Sequence, residues 1–109
     1  MRFSYTLILI LVTIMTLTFL DVERVLADSV IATINVGDNP WIIAYNSANN
    51  DMYVANFGSN TVSVINSNNQ LVATINVGFS PQAIAYNSVN NDMYLANYRS
   101  NTVSVINSN

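Results

Sequence analysis

Residues 59 to 68 read Ser-Asn-Thr-Val-Ser-Val-Ile-Asn-Ser-Asn, and residues 100 to 109 repeat the same ten in the same order. Working outward at that offset, residues 28 to 68 align with 69 to 109 without a gap, and 29 of the 41 positions are identical. The other matched blocks are Ala-Thr-Ile-Asn-Val-Gly (32 to 37, 73 to 78), Ile-Ala-Tyr-Asn-Ser (43 to 47, 84 to 88) and Asn-Asn-Asp-Met-Tyr (49 to 53, 90 to 94). A period of about 40 to 45 residues belongs to four-stranded propeller blades or to helical repeats. The segments between turn signals are short and rich in β-branched and aromatic residues, which selects strands.

The two-residue period assigns faces. In Thr61 to Asn66, Val62 and Val64 point one way while Thr61, Ser63 and Ile65 point the other; Val30, Ala32, Ile34 and Val36 share a face in their own segment. Both faces stay small or apolar, as a sheet covered on both sides requires. The Asn-rich stretch from Asn46 to Asp51, with its copy at 87 to 92, consists of residues that tolerate left-handed backbone and cap their own turns. Residues 57 to 60 and 66 to 69 close the next hairpins, and Gly37-Asp38-Asn39-Pro40 breaks the chain before a new unit. The expected strands are therefore Val30 to Val36, Trp41 to Asn46, Met52 to Asn56, Thr61 to Asn66, Leu71 to Val77, Gln82 to Asn87, Met93 to Asn97 and Thr102 to Asn107.

Tyr53-Val54-Ala55-Asn56 and Tyr94-Leu95-Ala96-Asn97 each run into Ser-Asn-Thr-Val-Ser-Val-Ile, and Val-Ala-Thr-Ile-Asn-Val-Gly is followed by a proline three residues on. With these motifs the chain resembles the YVTN-type β-propeller repeat of archaeal and bacterial cell-surface and surface-layer proteins, over residues 30 to 109. Both copies carry Ala where the family name has Thr. The Trp-Asp and Gly-His dipeptides of the other common propeller repeat are missing. The resemblance implies an all-β fold of two four-stranded blades of 41 residues, an incomplete propeller. The strand order would be d, a, b, c, d, a, b, c, with an orphan d strand at the front and the last d strand missing.

Ahead of the repeat, Arg2 precedes an uncharged apolar stretch from Tyr5 to Leu20 that ends at Asp21, and Val25-Leu26-Ala27 has the small residues that signal peptidase requires. Residues 1 to 27 are expected to be a signal peptide cut after Ala27, placing residues 28 to 109 outside the cytoplasm, secreted or at the cell surface. The alternative is a retained anchor, through which alone the chain would touch a membrane. Sixteen apolar residues span about 24 Å as a helix, short of the roughly 30 Å hydrocarbon core.

Composition narrows the function. Charged residues make up 8% of the chain, and beyond residue 27 the ionisable side chains other than tyrosine are Asp28, Asp38, Asp51, Asp92 and Arg99. That leaves no basic surface for a nucleic acid, which is bound by neutralising several phosphates. With no His and no Cys in the sequence there is no imidazole base, thiolate nucleophile or ordinary zinc or haem ligand set. Asp51 and Asp92 are copies of one turn position, and one carboxylate per turn is few for calcium, so neither cofactor nor metal is expected. Tyr45, Tyr53, Tyr86 and Tyr94 recur at the repeat spacing and read as packing residues. The resemblance also reaches propeller enzymes of lactonase and quinoprotein dehydrogenase type, which makes a fragment of such an enzyme the alternative function.

The remaining signal lies in the mismatches. Six of the twelve differences between the copies fall at Asp38/Phe79, Asn39/Ser80, Trp41/Gln82, Ile42/Ala83, Phe57/Tyr98 and Gly58/Arg99. In a propeller these positions share one rim, which would carry Asp38, Trp41, Phe57, Phe79, Tyr98 and Arg99. Aromatic side chains around a lone Arg suit contact with a glycan or a protein. The expectation is a non-enzymatic extracellular module, a scaffold or surface coat, forming part of a larger propeller. Two blades cannot close a ring of about four to eight, so self-association or further blades would have to complete it.

Overall fold

The computed structural model describes residues 27 to 108. The expected signal or anchor segment, apart from Ala27, lies outside the described residues. Within them every regular element is a β-strand: β1 Pro40–Asn46, β2 Asp51–Asn56, β3 Thr61–Ile65, β4 Leu71–Asn76, β5 Pro81–Tyr86, β6 Met93–Asn97 and β7 Thr102–Ile106. They form two antiparallel sheets in sequence order, β1-β2-β3-β4 and β5-β6-β7. All seven lie where the alternation and the turn residues place them, to within a residue or two.

The first sheet pairs Tyr53 with Ala44 and with Val64, and Ala55 with Val62. On these registers Tyr53, Ala55, Val62 and Val64 project from one face, and they meet Met93, Leu95 and Ile106 of the second sheet in a single buried cluster. The repeat explains why the faces fit. Met93, Leu95 and Ile106 are the copies of Met52, Val54 and Ile65, which lie on the other side of the first sheet. Opposite faces of one repeat therefore stack on each other, and both must be apolar. Removing Val62 or Leu95 from water is worth about 1.5 to 3 kcal/mol each, and both are fully buried.

The hairpin ends use asparagine where many proteins use glycine. Asn39, Asn50, Asn60, Asn69, Asn91 and Asn101 have φ between 50° and 65°, joined by Ser80 at 55°, while none of the three glycines does. Asparagine enters this left-handed region more easily than other side-chain-bearing residues, because its short amide bonds to the local backbone. In the β1–β2 turn Asn46 Oδ1 accepts from the Ala48 N–H at 2.9 Å and Asn49 Oδ1 from the Asp51 N–H at 2.9 Å. Two tyrosines clamp that turn: the Tyr45 hydroxyl donates to Asn50 Oδ1 at 2.7 Å, and Asn49 Nδ2 donates to the Tyr53 hydroxyl at 3.0 Å. The second copy repeats both contacts, from Tyr86 to Asn91 at 2.8 Å and from Asn90 to Tyr94 at 2.8 Å. All four recurring tyrosines hold turns, whereas only Tyr53 lies in the buried cluster and Tyr86 packs against it, Tyr45 being about half exposed.

One expected strand does not form. Val30 to Val36 has no β-pairing, and Val30 and Ile31 are 83% and 88% exposed. Its near-copy, Leu71 to Val77, supplies β4 because β3 lies beside it. A strand needs a neighbour to satisfy its backbone groups, and no strand among the described residues pairs with 30 to 36. At the other end β7 has, among the described residues, a strand partner only on its β6 side.

Candidate functional site

The loops that join the sheets and hairpins at one end of the fold are tied together in matched pairs. The segment before β1 and the β2–β3 turn are joined by Phe57 N–H to Asn39 O at 2.9 Å and Gly58 N–H to Asp38 O at 3.0 Å. The segment before β5 and the β6–β7 turn repeat this with Tyr98 N–H to Ser80 O at 3.0 Å and Arg99 N–H to Phe79 O at 3.2 Å. One further bond ties the first sheet's β2–β3 turn to the segment before β5, where Asn60 Oδ1 accepts from Ser80 N–H at 2.9 Å, while Asn60 O extends the β3–β4 ladder by accepting from Val77 N–H at 3.1 Å. Each loop is thus held by another loop rather than by its own length.

Gly37 and Gly78 make this zipper possible through close approach, with no left-handed backbone involved. A Cβ at Gly37 would lie 2.4 Å from Ser59 Oγ and 2.7 Å from Asn56 Nδ2; at Gly78 it would lie 2.5 Å from Ser100 Oγ and 2.6 Å from Asn97 Cγ. Asn56 is fully buried and donates to the Thr61 and Ser63 hydroxyls at 3.1 and 2.9 Å, so it has no room to yield. Ser59 Oγ in turn accepts from the Asp38 N–H at 3.1 Å.

On this frame the Trp41 ring lies 5.4 Å from that of Phe57, tilted by 34°, and the Arg99 guanidinium stands 5.9 Å from the centre of the Phe57 ring. Phe57 comes from the first sheet's turn and Arg99 from the second's, so the contact spans the two sheets. Between them runs a cleft of about 420 Å³ lined by Asn39, Phe57, Gly58, Asn60, Phe79, Ser80 and Arg99. Trp41 is 60% and Phe79 62% exposed. Among the described residues no carboxylate pairs with Arg99. A cation over an aromatic face is worth about 0.5 to 1 kcal/mol at an exposed site, enough to bias where the guanidinium rests while leaving its donors free.

The six residues expected on this rim are not all equivalent. Trp41, Phe57 and Arg99 are in contact, and Phe79 shares the cleft with Phe57 and Arg99. Asp38 serves the zipper through its backbone, and Tyr98 is exposed without lining the cleft. The polar lining of Asn39, Asn60 and Ser80 is absent from the expected set. All three have positive φ; Asn39 and Ser80 are one of the divergent pairs of the rim, and Asn60 belongs to the 57 to 60 turn.

The paired mismatches have a steric basis. A Cβ on Gly58 would come within 2.9 Å of Asn39 Nδ2. In the second copy the residue at the Asn39 position is the smaller Ser80, and the residue at the Gly58 position is Arg99. The shortened side chain leaves room for the long one, so the two differences belong together. Among the described residues no cluster of three or more His, Cys, Asp or Glu forms a metal site. No protein-family model matches the chain, and no curated protein is significantly similar to it.

Proposed function

We propose that the chain is an exported β-propeller repeat module that acts at the cell surface as an interaction scaffold and not as a catalyst, and that its rim cleft takes an acidic glycan. The blade reading is supported by the repeated order of antiparallel strands, by β1 lying against β5, and by the stacking of opposite faces of one repeat. It is also the architecture of the YVTN-type repeats that the motifs resemble.

The observation that carries the ligand class is the Arg99 guanidinium, over the Phe57 ring in a cleft with exposed aromatic rings and with no carboxylate partner among the described residues. An apolar sugar face stacks on rings such as Trp41 and Phe79, the Asn39, Asn60 and Ser80 side chains offer hydroxyl partners, and a uronate carboxylate takes the guanidinium as a charge-assisted pair. The full chain should bind immobilised uronic-acid polysaccharide and ignore its neutral counterpart. Arg99→Ala should abolish the preference and Arg99→Lys restore part of it, because an ammonium keeps the charge but loses the planar fork. Equal binding by wild type and Arg99→Ala would overturn the reading, as would binding of acidic peptides in place of sugars.

A further inference from the structure

Two unfilled positions in this molecule are complementary. The first is the free edge of β7. Its sequence, Thr-Val-Ser-Val-Ile, is identical to that of β3, whose corresponding edge is occupied by β4. Behind that edge lies the uncovered face of the second sheet: Ala85, Ala96, Val103 and Val105 are exposed and Tyr94 is half-buried. These are the copies of Ala44, Tyr53, Ala55, Val62 and Val64, the face that the second sheet covers in the first. A shallow apolar depression lined by Ala83, Ala85, Tyr94, Ala96 and Val103 lies on it.

The second position is the segment Val30 to Val36, which reads Val-Ile-Ala-Thr-Ile-Asn-Val against Leu-Val-Ala-Thr-Ile-Asn-Val in residues 71 to 77. It differs from the strand that fills the β3 edge by two conservative changes, and it has no strand partner among the described residues. An exposed apolar edge strand is a template for another strand, and most proteins guard such edges with charge, proline or bulges. β7 carries neither charge nor proline.

We infer that the occupant of the β7 edge is residues 30 to 36 of a second copy of this chain. The register follows from the internal template. In the β3–β4 ladder Thr61 pairs with Asn76, Val62 with Ile75, Ser63 with Thr74, Val64 with Ala73, and Ile65 with Leu71 across a bulge. Moved by one repeat, Thr102 pairs with Asn35, Val103 with Ile34, Ser104 with Thr33, Val105 with Ala32, and Ile106 with Val30. Ile34 then lies beside Val103 on the apolar face. Because 30 to 36 leads into β1 as 71 to 77 leads into β5, this pairing brings the first sheet of the second copy over Tyr94, Ala96, Val103 and Val105. Of its incoming side chains Ile43 and Tyr45 are about half exposed, while Val54 and Ile65 are already buried. The ladder is therefore the part of the contact that the single chain leaves wholly unmade. The interface is heterologous, with the front of one chain on the back of another, so it propagates until a ring closes or a filament forms.

The test uses full chains and the absence of native cysteine. Thr33→Cys and Ser104→Cys are made in separate chains that differ in tag length and are co-expressed, so that a mixed disulfide can form only between copies. Air oxidation should yield the mixed dimer in large excess over a control pair of Thr33→Cys with Val103→Cys, because a one-residue slip turns the side chain to the opposite face. Val103→Lys added to the Ser104→Cys chain should suppress it. Equal linking of both pairs would show indiscriminate edge aggregation and overturn the register. Monomers alone, with both chains soluble, would overturn the association itself. Neither outcome touches the glycan assay, whose readout is the Arg99 side chain in the rim cleft and not the β7 ladder.

Discussion

Replacing Gly37 with alanine tests the packing that holds the rim. The new methyl would sit 2.4 Å from Ser59 Oγ, 2.7 Å from Asn56 Nδ2 and 2.8 Å from Asn56 Cγ, where an unstrained contact needs well over 3 Å. Ser59 can turn away, at the loss of its bond to the Asp38 N–H, about 1 kcal/mol. Asn56 cannot, since it is buried and tied to two hydroxyls. Forcing such a group aside costs about 1 to 3 kcal/mol. The backbone φ is not in the left-handed region, so alanine also restricts the unfolded chain and returns about 0.4 to 1 kcal/mol. The net loss is about 1 to 3.5 kcal/mol. Urea unfolding at fixed protein concentration measures it, with fluorescence of Trp41, the single tryptophan, as the reporter. Gly78→Ala should lose a similar amount, because Ser100 and Asn97 repeat the geometry. A Gly37→Ala protein as stable as the wild type, or more so, would show that the two loops are not packed as described.

Asn50→Ala and Asn91→Ala should each destabilise by about 1 kcal/mol, and Asn→Gly at the same sites by much less, since both residues have positive φ; thermal midpoints in a single buffer separate these cases. Trp41→Ala should change stability by less than about 1 kcal/mol, in line with its exposure and its one ring contact, yet weaken glycan binding in the immobilised-polysaccharide assay. A larger stability loss would make Trp41 a packing residue and remove it from the site.

Local chemistry alone accounts for the strands that carry their own signals. Thr61 to Ile65 alternates with a two-residue period, and Asn46 to Asp51 is a run of residues that bond to their own backbone; both are local effects, legible in any copy of the repeat. The rim was legible as a set of divergent positions, because differences between otherwise identical copies stand out without any structure. What the sequence could not distinguish was which of those positions meet. That Trp41 lies against Phe57, that Arg99 reaches Phe57 from the other sheet, and that Asp38 contributes backbone while Tyr98 stands apart are consequences of loop-to-loop bonds between residues about 20 apart, for which alternation carries no information. The segment 30 to 36 makes the same point most sharply. Its sequence is that of a strand, and its near-copy 71 to 77 is one, because strand propensity becomes a strand only where a neighbour satisfies the backbone. That neighbour is a property of the tertiary structure: β3 pairs with 71 to 76, and no strand among the described residues pairs with 30 to 36.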